Sequence, residues 1–497
     1  MRARYKACIV SLLVPLALHG QDVGLLRLNP DAPDVRGTAQ VYGGYEAGGY
    51  HPAFAPSSLW KAGASASGTK NGSKVSYTGS FSFEQVEGKD MFTSMFLEPG
   101  YFPVDVVEFT PGDKTRQTYR LGGGFAADLD RFVPDLENLV FGVKADYSAS
   151  NYAKRKDIRH TTYGMSLRVE PTITYKMDDN AGLSAAYVFR KRTESIDAEQ
   201  VGSATDESYF AFLDKGMRYG TYQVWDGDGI HLDEAGVGVF PVREYAHGFA
   251  FCLDVPEFAA GMEMLWKHGV VGEKGYDWFR YPGHSASLFL ERRWESGHSL
   301  RLDLSVQDDQ LEEAVLDKVT SGGVTTPSVY GYNAVSDRAW ASLDLTYAVR
   351  FRSGSLRRLQ AVLHGGAWDE KSYLMYPYED KTERFNGMAT LVAVFGFGPV
   401  DLNVRVNGGA GTWKEQGLQG GTEDVVSTPY RLEPDWLRKM EYFSTAKAGA
   451  GLTLTYHLKA VKGLRLQAEG TWLHGFGIEL LPGAERWSTT ACIGYDF

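Results

Sequence analysis

The feature that most constrains this chain is a strict period-two alternation of apolar and polar residues, repeated in segments of about 10 to 14 residues. In a β-strand successive side chains point to opposite faces, so such a segment has one apolar and one polar wall. Leu300, Leu302, Leu304 and Val306 alternate with Ser299, Arg301, Asp303, Ser305 and Gln307. Tyr163, Met165, Leu167, Val169, Ile173 and Tyr175 alternate with Gly164, Ser166, Arg168, Glu170, Thr172 and Thr174. The same pattern predicts 18 strands, near 39–50, 62–69, 73–85, 115–128, 137–151, 161–176, 182–193, 236–253, 258–269, 283–293, 298–308, 338–352, 357–369, 385–396, 400–412, 443–457, 463–475 and 486–497.

Soluble sandwiches also alternate, so the connectors decide the fold class. Taken in order they alternate long and short: about 11, 29, 9, 42, 13, 29, 15, 30 and 10 residues against about 3, 8, 5, 4, 4, 4, 3 and 5. Short turns on one side, long loops on the other and an even strand count describe an all-β, up-and-down antiparallel transmembrane β-barrel of about 18 strands, within a range of 14 to 18, with periplasmic turns and extracellular loops. An open sheet of this size would leave two unpaired edges, which closure in a bilayer removes. Tyr147, Tyr175, Trp294, Trp340, Trp472 and Trp487 lie near predicted strand ends, where aromatic girdles sit.

Composition narrows the alternatives. With 57 Gly and 13% aromatic residues the chain is no disordered coil, and past the first 20 residues no run is apolar enough for a transmembrane helix. Arg2, Arg4 and Lys6 followed by an apolar stretch from Ala7 to Leu18 read as a signal peptide over 1–20, leaving 21–497 as one barrel domain. Its removal takes the formal net charge from −11 to about −14, which makes nucleic acid a poor partner. Cys252 and Cys492 are the cysteines left, too few for a disulfide framework.

Trp487, Thr489, Ala491, Ile493, Tyr495 and Phe497 alternate to a closing aromatic residue. This resembles the C-terminal signature of Gram-negative outer-membrane barrels, and with the leader the resemblance covers the whole chain as architecture. It implies Sec-type export, residence in outer-membrane lipid and lipopolysaccharide, and Ile493, Tyr495 and Phe497 as the signal read by the barrel-assembly machinery. The kinship is with an uncharacterised barrel family without assigned cargo. About 17 residues separate the leader from the first strand, too few for the folded plug or tandem domains of better-known subclasses.

Motifs of soluble catalysis are missing: no GxSxG, HExxH, CxxC or P-loop occurs. Gly283-His284-Ser285 is the nearest hydrolase-like group, but in a strand His284 and Ser285 face opposite ways. No enzyme, cofactor or metal is expected, a rim-located lipid hydrolase being the residual alternative. The polar stripes instead place Arg116, Arg120, Lys144, Arg168, Arg301, Arg350, Arg405 and Arg465 in the lumen with Asp128, Asp146, Glu170, Asp303, Asp344, Asp401 and Glu469. A lining of mixed sign suits a water-filled passage for polar solutes. The same charges would also brace the wall by pairing across strands.

Among the loops, Val86 to Lys114 is too apolar to stand in water: Phe92, Phe96, Tyr101, Phe102 and Phe109 lie in it. It is expected either to fold inward and constrict the passage or to dock a partner. Glu194 to Glu234 carries ten acids against Lys215 and Arg218, a solvated surface or a collector of cations; Asp226, Asp228 and Asp233 resemble a calcium loop in composition alone. Tyr373, Tyr376 and Tyr378, and Trp413 with Tyr430 and Trp436, either stack on sugar rings or pack the loop bases. The reading is a passive channel or uptake component for polar solutes, partly occluded by 86–114. The rival is a non-conducting scaffold that displays loops as an adhesin or as a subunit of a surface complex. Oligomeric state and partners are not legible, and a homo-oligomer is expected by analogy alone.

Overall fold

The computed structural model describes residues 35–497 except 73, 157, 179, 200–210, 217–219, 224–238, 274–275, 322–323, 376–377 and 417–432. The leader, Asp226, Asp228, Asp233, Tyr376 and Tyr430 lie outside the described residues.

Twenty strands form one antiparallel sheet. They are β1 (Val35–Ala47), β2 (Ser58–Asn71), β3 (Val75–Ser94), β4 (Asp105–Asp128), β5 (Leu139–Lys154), β6 (Arg159–Asp178), β7 (Ala181–Glu199), β8 (Ala211–Asp214), β9 (Gly220–Gln223) and β10 (Val239–Val255). There follow β11 (Phe258–Glu273), β12 (Tyr276–Arg293), β13 (His298–Ser321), β14 (Val324–Arg350), β15 (Leu356–Met375), β16 (Tyr378–Phe397), β17 (Val400–Glu415), β18 (Lys447–His457), β19 (Leu464–Gly475) and β20 (Glu485–Asp496). Each strand pairs with its sequence neighbour, except that β7 pairs β10 across the loop holding β8 and β9. Closure comes from β1 on β20, from Thr38 opposite Asp496 to Ala47 opposite Trp487. Eighteen strands thus make the wall, and every one falls on a segment the alternation marks. A short helix, α1 (Glu433–Ser444), lies between β17 and β18.

The alternation becomes two surfaces. Along β20, Trp487, Thr489, Ala491, Ile493 and Tyr495 are exposed on the outside while Arg486, Ser488, Thr490 and Cys492 are buried on the inside. Val41, Phe81, Leu121, Ile173, Phe249, Leu288, Leu343, Leu391, Leu452 and Leu466 continue the exposed apolar belt around the wall. From Trp487 to Phe497 the chain climbs roughly 25 Å, ten residues at about 3.3 Å tilted by about 40°, which matches the lipid-facing band of such barrels. Tyr45 packs on Trp487 at 5.4 Å, and Tyr147, Tyr175, Trp294 and Trp472 are exposed on the outer face.

Two expectations need correction. Trp340 is no girdle residue: β14 turns it into the lumen, where it stacks on Trp368 at 5.0 Å and 18°. The long connectors are also fewer. The segments expected as loops at 86–114, 270–282, 309–337 and 370–384 are mostly strand, so that β3 and β4 are joined by 95–104, and β13 and β14 by 322–323 alone. Above the lipid rim neither face of a strand meets hydrocarbon, so the alternation that marks strands in sequence lapses although the ladder continues. β13 has 24 residues and β14 has 27, roughly 60 Å of height or more against a band of about 25 Å. True long connectors remain at 200–238 and 416–446.

Glycine is required where walls approach closely. A Cβ on Gly248 in β10 would sit 1.8 Å from the Met264 carbonyl oxygen of β11, whereas one on Gly79 meets nothing within 4 Å. Gly248→Ala is therefore expected to destabilise the barrel by about 1–3 kcal/mol, seen as a lower temperature for loss of the compact gel form, while Gly79→Ala leaves it unchanged.

Candidate functional site: the lumen and its closure

The inner wall is built from the polar stripes. Arg168 on β6 pairs with Glu170 and reaches across β7 and β10 to Glu263 on β11. Arg301 holds Asp303 at 2.9 Å and Glu291 at 3.5 Å, and Arg405 lies 3.5 Å from Glu469. Arg465 approaches Asp496 at 3.5 Å and donates to Gln40 at 3.1 Å. Lys144 and Asp146 pair at 3.2 Å while 36% and 46% exposed, and His457 and Asp401 at 2.9 Å while 49% and 45% exposed, so both pairs are open to solvent. Asp344 contacts His364 at 3.0 Å, and Asp128 pairs with Lys176 at 2.6 Å. Arg350 stands opposite Arg358, and Arg116 and Arg120 form no ion pair among the described residues. Glu263, Lys267 and Arg338 share this face, although sequence reasoning left them out; the parity of Met262, Met264 and Trp266 marks Glu263 and Lys267 as inward.

At the end carrying the long loops the β3–β4 hairpin tip packs among residues of the wall. At the rim β3 and β4 stop following the wall: their register shifts between Gly88 and Met91 and again between Met91 and Thr93. Asp90 (φ 55°) and Thr93 (φ 71°) take left-handed backbone conformations that cost non-glycine residues of order 1–3 kcal/mol each. Opposite lie Pro111 and Gly112, and together these breaks turn the hairpin tip inward. Met95, Phe96, Phe102, Val104 and Val106 of the tip are buried among Ile196 of β7, Phe240 and Val242 of β10, Val271 of β11, Phe279 and Tyr281 of β12, Leu311 of β13 and Val335 of β14. Tyr101 packs against the same core; Phe109 packs on Val107 and Phe212, and Phe92 is half-buried in β3.

Polar anchors fix the tip across the barrel. Arg338 on β14 donates to the carbonyls of Gly100 (3.2 Å), Tyr101 (3.0 Å) and Phe102 (2.9 Å) and to Asp309 (3.0 Å). Glu194 accepts the Leu97 N–H at 2.5 Å, the Tyr101 hydroxyl donates to Glu244 at 2.8 Å, and Arg192 pairs with Glu98 at 3.0 Å while lying over the Tyr101 ring. At its base Glu108 is fully buried between Lys114 and Lys154. Buried charge of this kind is tolerated when it is paired and hydrogen-bonded. Residues 211–214 of the acidic loop add a strand to the tip, with Asp214 opposite Asp105.

Other loops interlock around it. Tyr50 of 48–57 is fully buried against Tyr442 of α1, its hydroxyl donating to the Tyr442 carbonyl. Glu441 accepts the backbone N–H groups of Glu479, Leu480 and Leu481. Trp413 meets Trp436 edge-on at 5.2 Å inside a small core, which makes these two rings loop-base packing. Tyr373 donates to Asp337 at 2.8 Å on the outer side of β15.

The sequence pattern of a family of unknown function, DUF6850, matches residues 27–497. No curated protein matches the chain. Among solved structures it is similar to the ferric yersiniabactin uptake receptor FyuA from Yersinia pestis, at 8% identity over 94% of this chain and 81% of that one, with a TM-score of 0.41. It is also similar to a mutant of the ferric enterobactin receptor PfeA from Pseudomonas aeruginosa (10%, 94% and 81%, 0.41) and to the FrpB iron transporter from Neisseria meningitidis (9%, 93% and 81%, 0.39). An overlap this loose transfers no cargo or mechanism.

Three carboxyls above the rim bear on closure. Burial pushes Asp105 up to about 7 despite the Ser94 hydroxyl and nearby Lys439 and Lys114. Burial likewise pushes Glu194 up to about 7 against Arg192 and the Leu97 N–H, and lifts Asp214 well above the carboxylate range. A displaced tip returns such groups to water, where a carboxyl titrates near 4. Between about pH 4 and 7 the closed form then binds more protons than the open one, so closure is fully favoured at the acid end and weakens as pH rises through about 7. Corrected amide exchange of 95–104 is expected to be about tenfold or more faster at pH 8 than at pH 5. Asp105→Asn should lessen that dependence, with Glu194 and Asp214 keeping the rest.

Proposed function

The chain belongs to this family of unknown function, and we propose that it is an outer-membrane uptake barrel for polar solutes whose extracellular mouth is closed by the inward tip of the β3–β4 hairpin. The observation that carries this is the contrast along the lumen. Below the tip, Arg116, Arg120, Lys144, Asp146, Arg301, Asp303, Arg350, Asp401, Arg405 and Glu469 form a wet wall of mixed charge, suited to small polar solutes. Above it, Phe96, Tyr101 and Phe102 seal the bore. Passage then requires the tip to move, and Arg338 is its principal latch. No step of this function is chemical. The outward Ile493, Tyr495 and Phe497 serve insertion by the assembly machinery, and outer-membrane lipid and lipopolysaccharide surround the wall.

A second reading, the non-conducting scaffold, is favoured by the depth of the core around the tip, which is large for a part that moves. Planar-bilayer conductance of the refolded protein separates the two. The uptake reading predicts a nearly silent wild type, steady current when 91–108 is replaced by a short Gly/Ser link, and intermittent openings in Arg338→Ala. A silent deletion variant that still migrates as a folded barrel would leave the scaffold.

A further inference from the structure

Between the underside of the tip and the wall lies a chamber of about 170 Å³. On one side Lys61 of β2 and Arg116 of β4 face it, in register across Val86 of β3. On the other stand the stacked rings of Trp340 and Trp368. Lys61 is only 6% exposed, and among the described residues its ammonium has no hydrogen bond or ion pair; Glu469, which lies 3.5 Å from Arg405, acts on it at longer range, and its stem lies over Gly44, where the absence of a side chain gives it room. Arg116 has no ion-pair partner either and is half-buried, so water reaches the chamber. Glu84 also lines it, its carboxylate taking the Tyr42 hydroxyl at 2.9 Å; with the Arg405–Glu469 pair beside Lys61 counted in, three cations stand against two carboxylates, one net positive charge.

An ammonium withdrawn this far from bulk water with no hydrogen-bonding acceptor of its own gains from a counter-ion placed against it. The stacked indole pair offers apolar surface where a barrel lumen otherwise carries polar side chains, with the Arg338 and Arg384 guanidinium groups 5.4 and 5.3 Å from the Trp340 and Trp368 ring centres. We infer that this chamber is a binding site for an organic monoanion with a flat apolar body, its carboxylate or sulfonate meeting Lys61 and Arg116 and its ring system lying against Trp340 and Trp368. The combination is selective: a small inorganic anion gains nothing from the indoles, and a neutral aromatic leaves the cations unpaired. The site goes beyond the uptake reading and does not require that the barrel conduct, since a silent scaffold would bind the same ligand.

The test is titration of 2-naphthoate against the full-length protein in lipid nanodiscs, read by calorimetry and by saturation-transfer NMR. Saturable binding is expected, at least tenfold weaker in Lys61→Met/Arg116→Met and in Trp368→Leu. Neutral 2-naphthol should bind at least tenfold more weakly than naphthoate, and acetate should not displace it. Each variant is first shown to keep the heat-modifiable gel mobility of the folded barrel. Absence of saturable binding, or binding that Trp368→Leu weakens and the double cation variant does not, overturns the inference; the latter means apolar partitioning only.

Discussion

Every backbone N–H and C=O that meets hydrocarbon must be bonded within the protein, because an unpaired group there costs several kcal/mol. The pairing of β1 with β20 meets that requirement, joining strands separated by almost the whole chain. Everything else is arranged around it. Once the ladder closes, alternate side chains have nowhere to go but lipid or lumen, which is why Ile493 is exposed and apolar while Cys492 beside it is buried inside. Closure also creates a bore that must hold water, side chains or a piece of chain.

In this barrel charged side chains line the turn end, where the Lys144–Asp146 and His457–Asp401 pairs are open to solvent, and at the loop end the hairpin tip that leaves the wall at Asp90 and Thr93 packs among residues of β7 and β10–β14. Those two left-handed residues are strained, and the strain is offset by burial of Met95, Phe96 and Phe102, each about 1.5–3 kcal/mol, together with the Arg338 and Glu194 hydrogen bonds. Because the tip is fixed by buried acids as well as by apolar contacts, its stability is expected to depend on pH.

How much of this was legible followed from how local the signal was. The eighteen wall strands were readable because lipid enforces alternation, and the lumen parity of Arg168, Arg301 and Arg405 came with it. Strand ends were misplaced above the rim, where lipid no longer enforces anything, so β13 and β14 were cut short and Trp340 was assigned to the wrong face. Lys61 was missed because the expected strand began at Ala62, four residues after β2 starts at Ser58. The apolar excess in 86–114 does mark a segment that avoids water, but nothing local names Arg338 as its anchor, 236 residues away from Phe102. Partners at such separation are set by closure of the barrel, which a single sequence does not display.

The most direct test of the tip's position is a cross-link between it and the inner face of the wall at β6, two strands from the tip's own β4. A Leu97 methyl lies 2.2 Å from where a Cβ on Gly164 of β6 would stand, so Leu97→Cys/Gly164→Cys, in a background lacking Cys252 and Cys492, places two thiols within bonding reach. In intact outer membranes this pair is predicted to form a disulfide under mild oxidation and to resist an impermeant maleimide added from outside. A pair that stays reduced, with the introduced thiol on the tip labelled from outside as fast as an exposed loop cysteine, would contradict an inward tip.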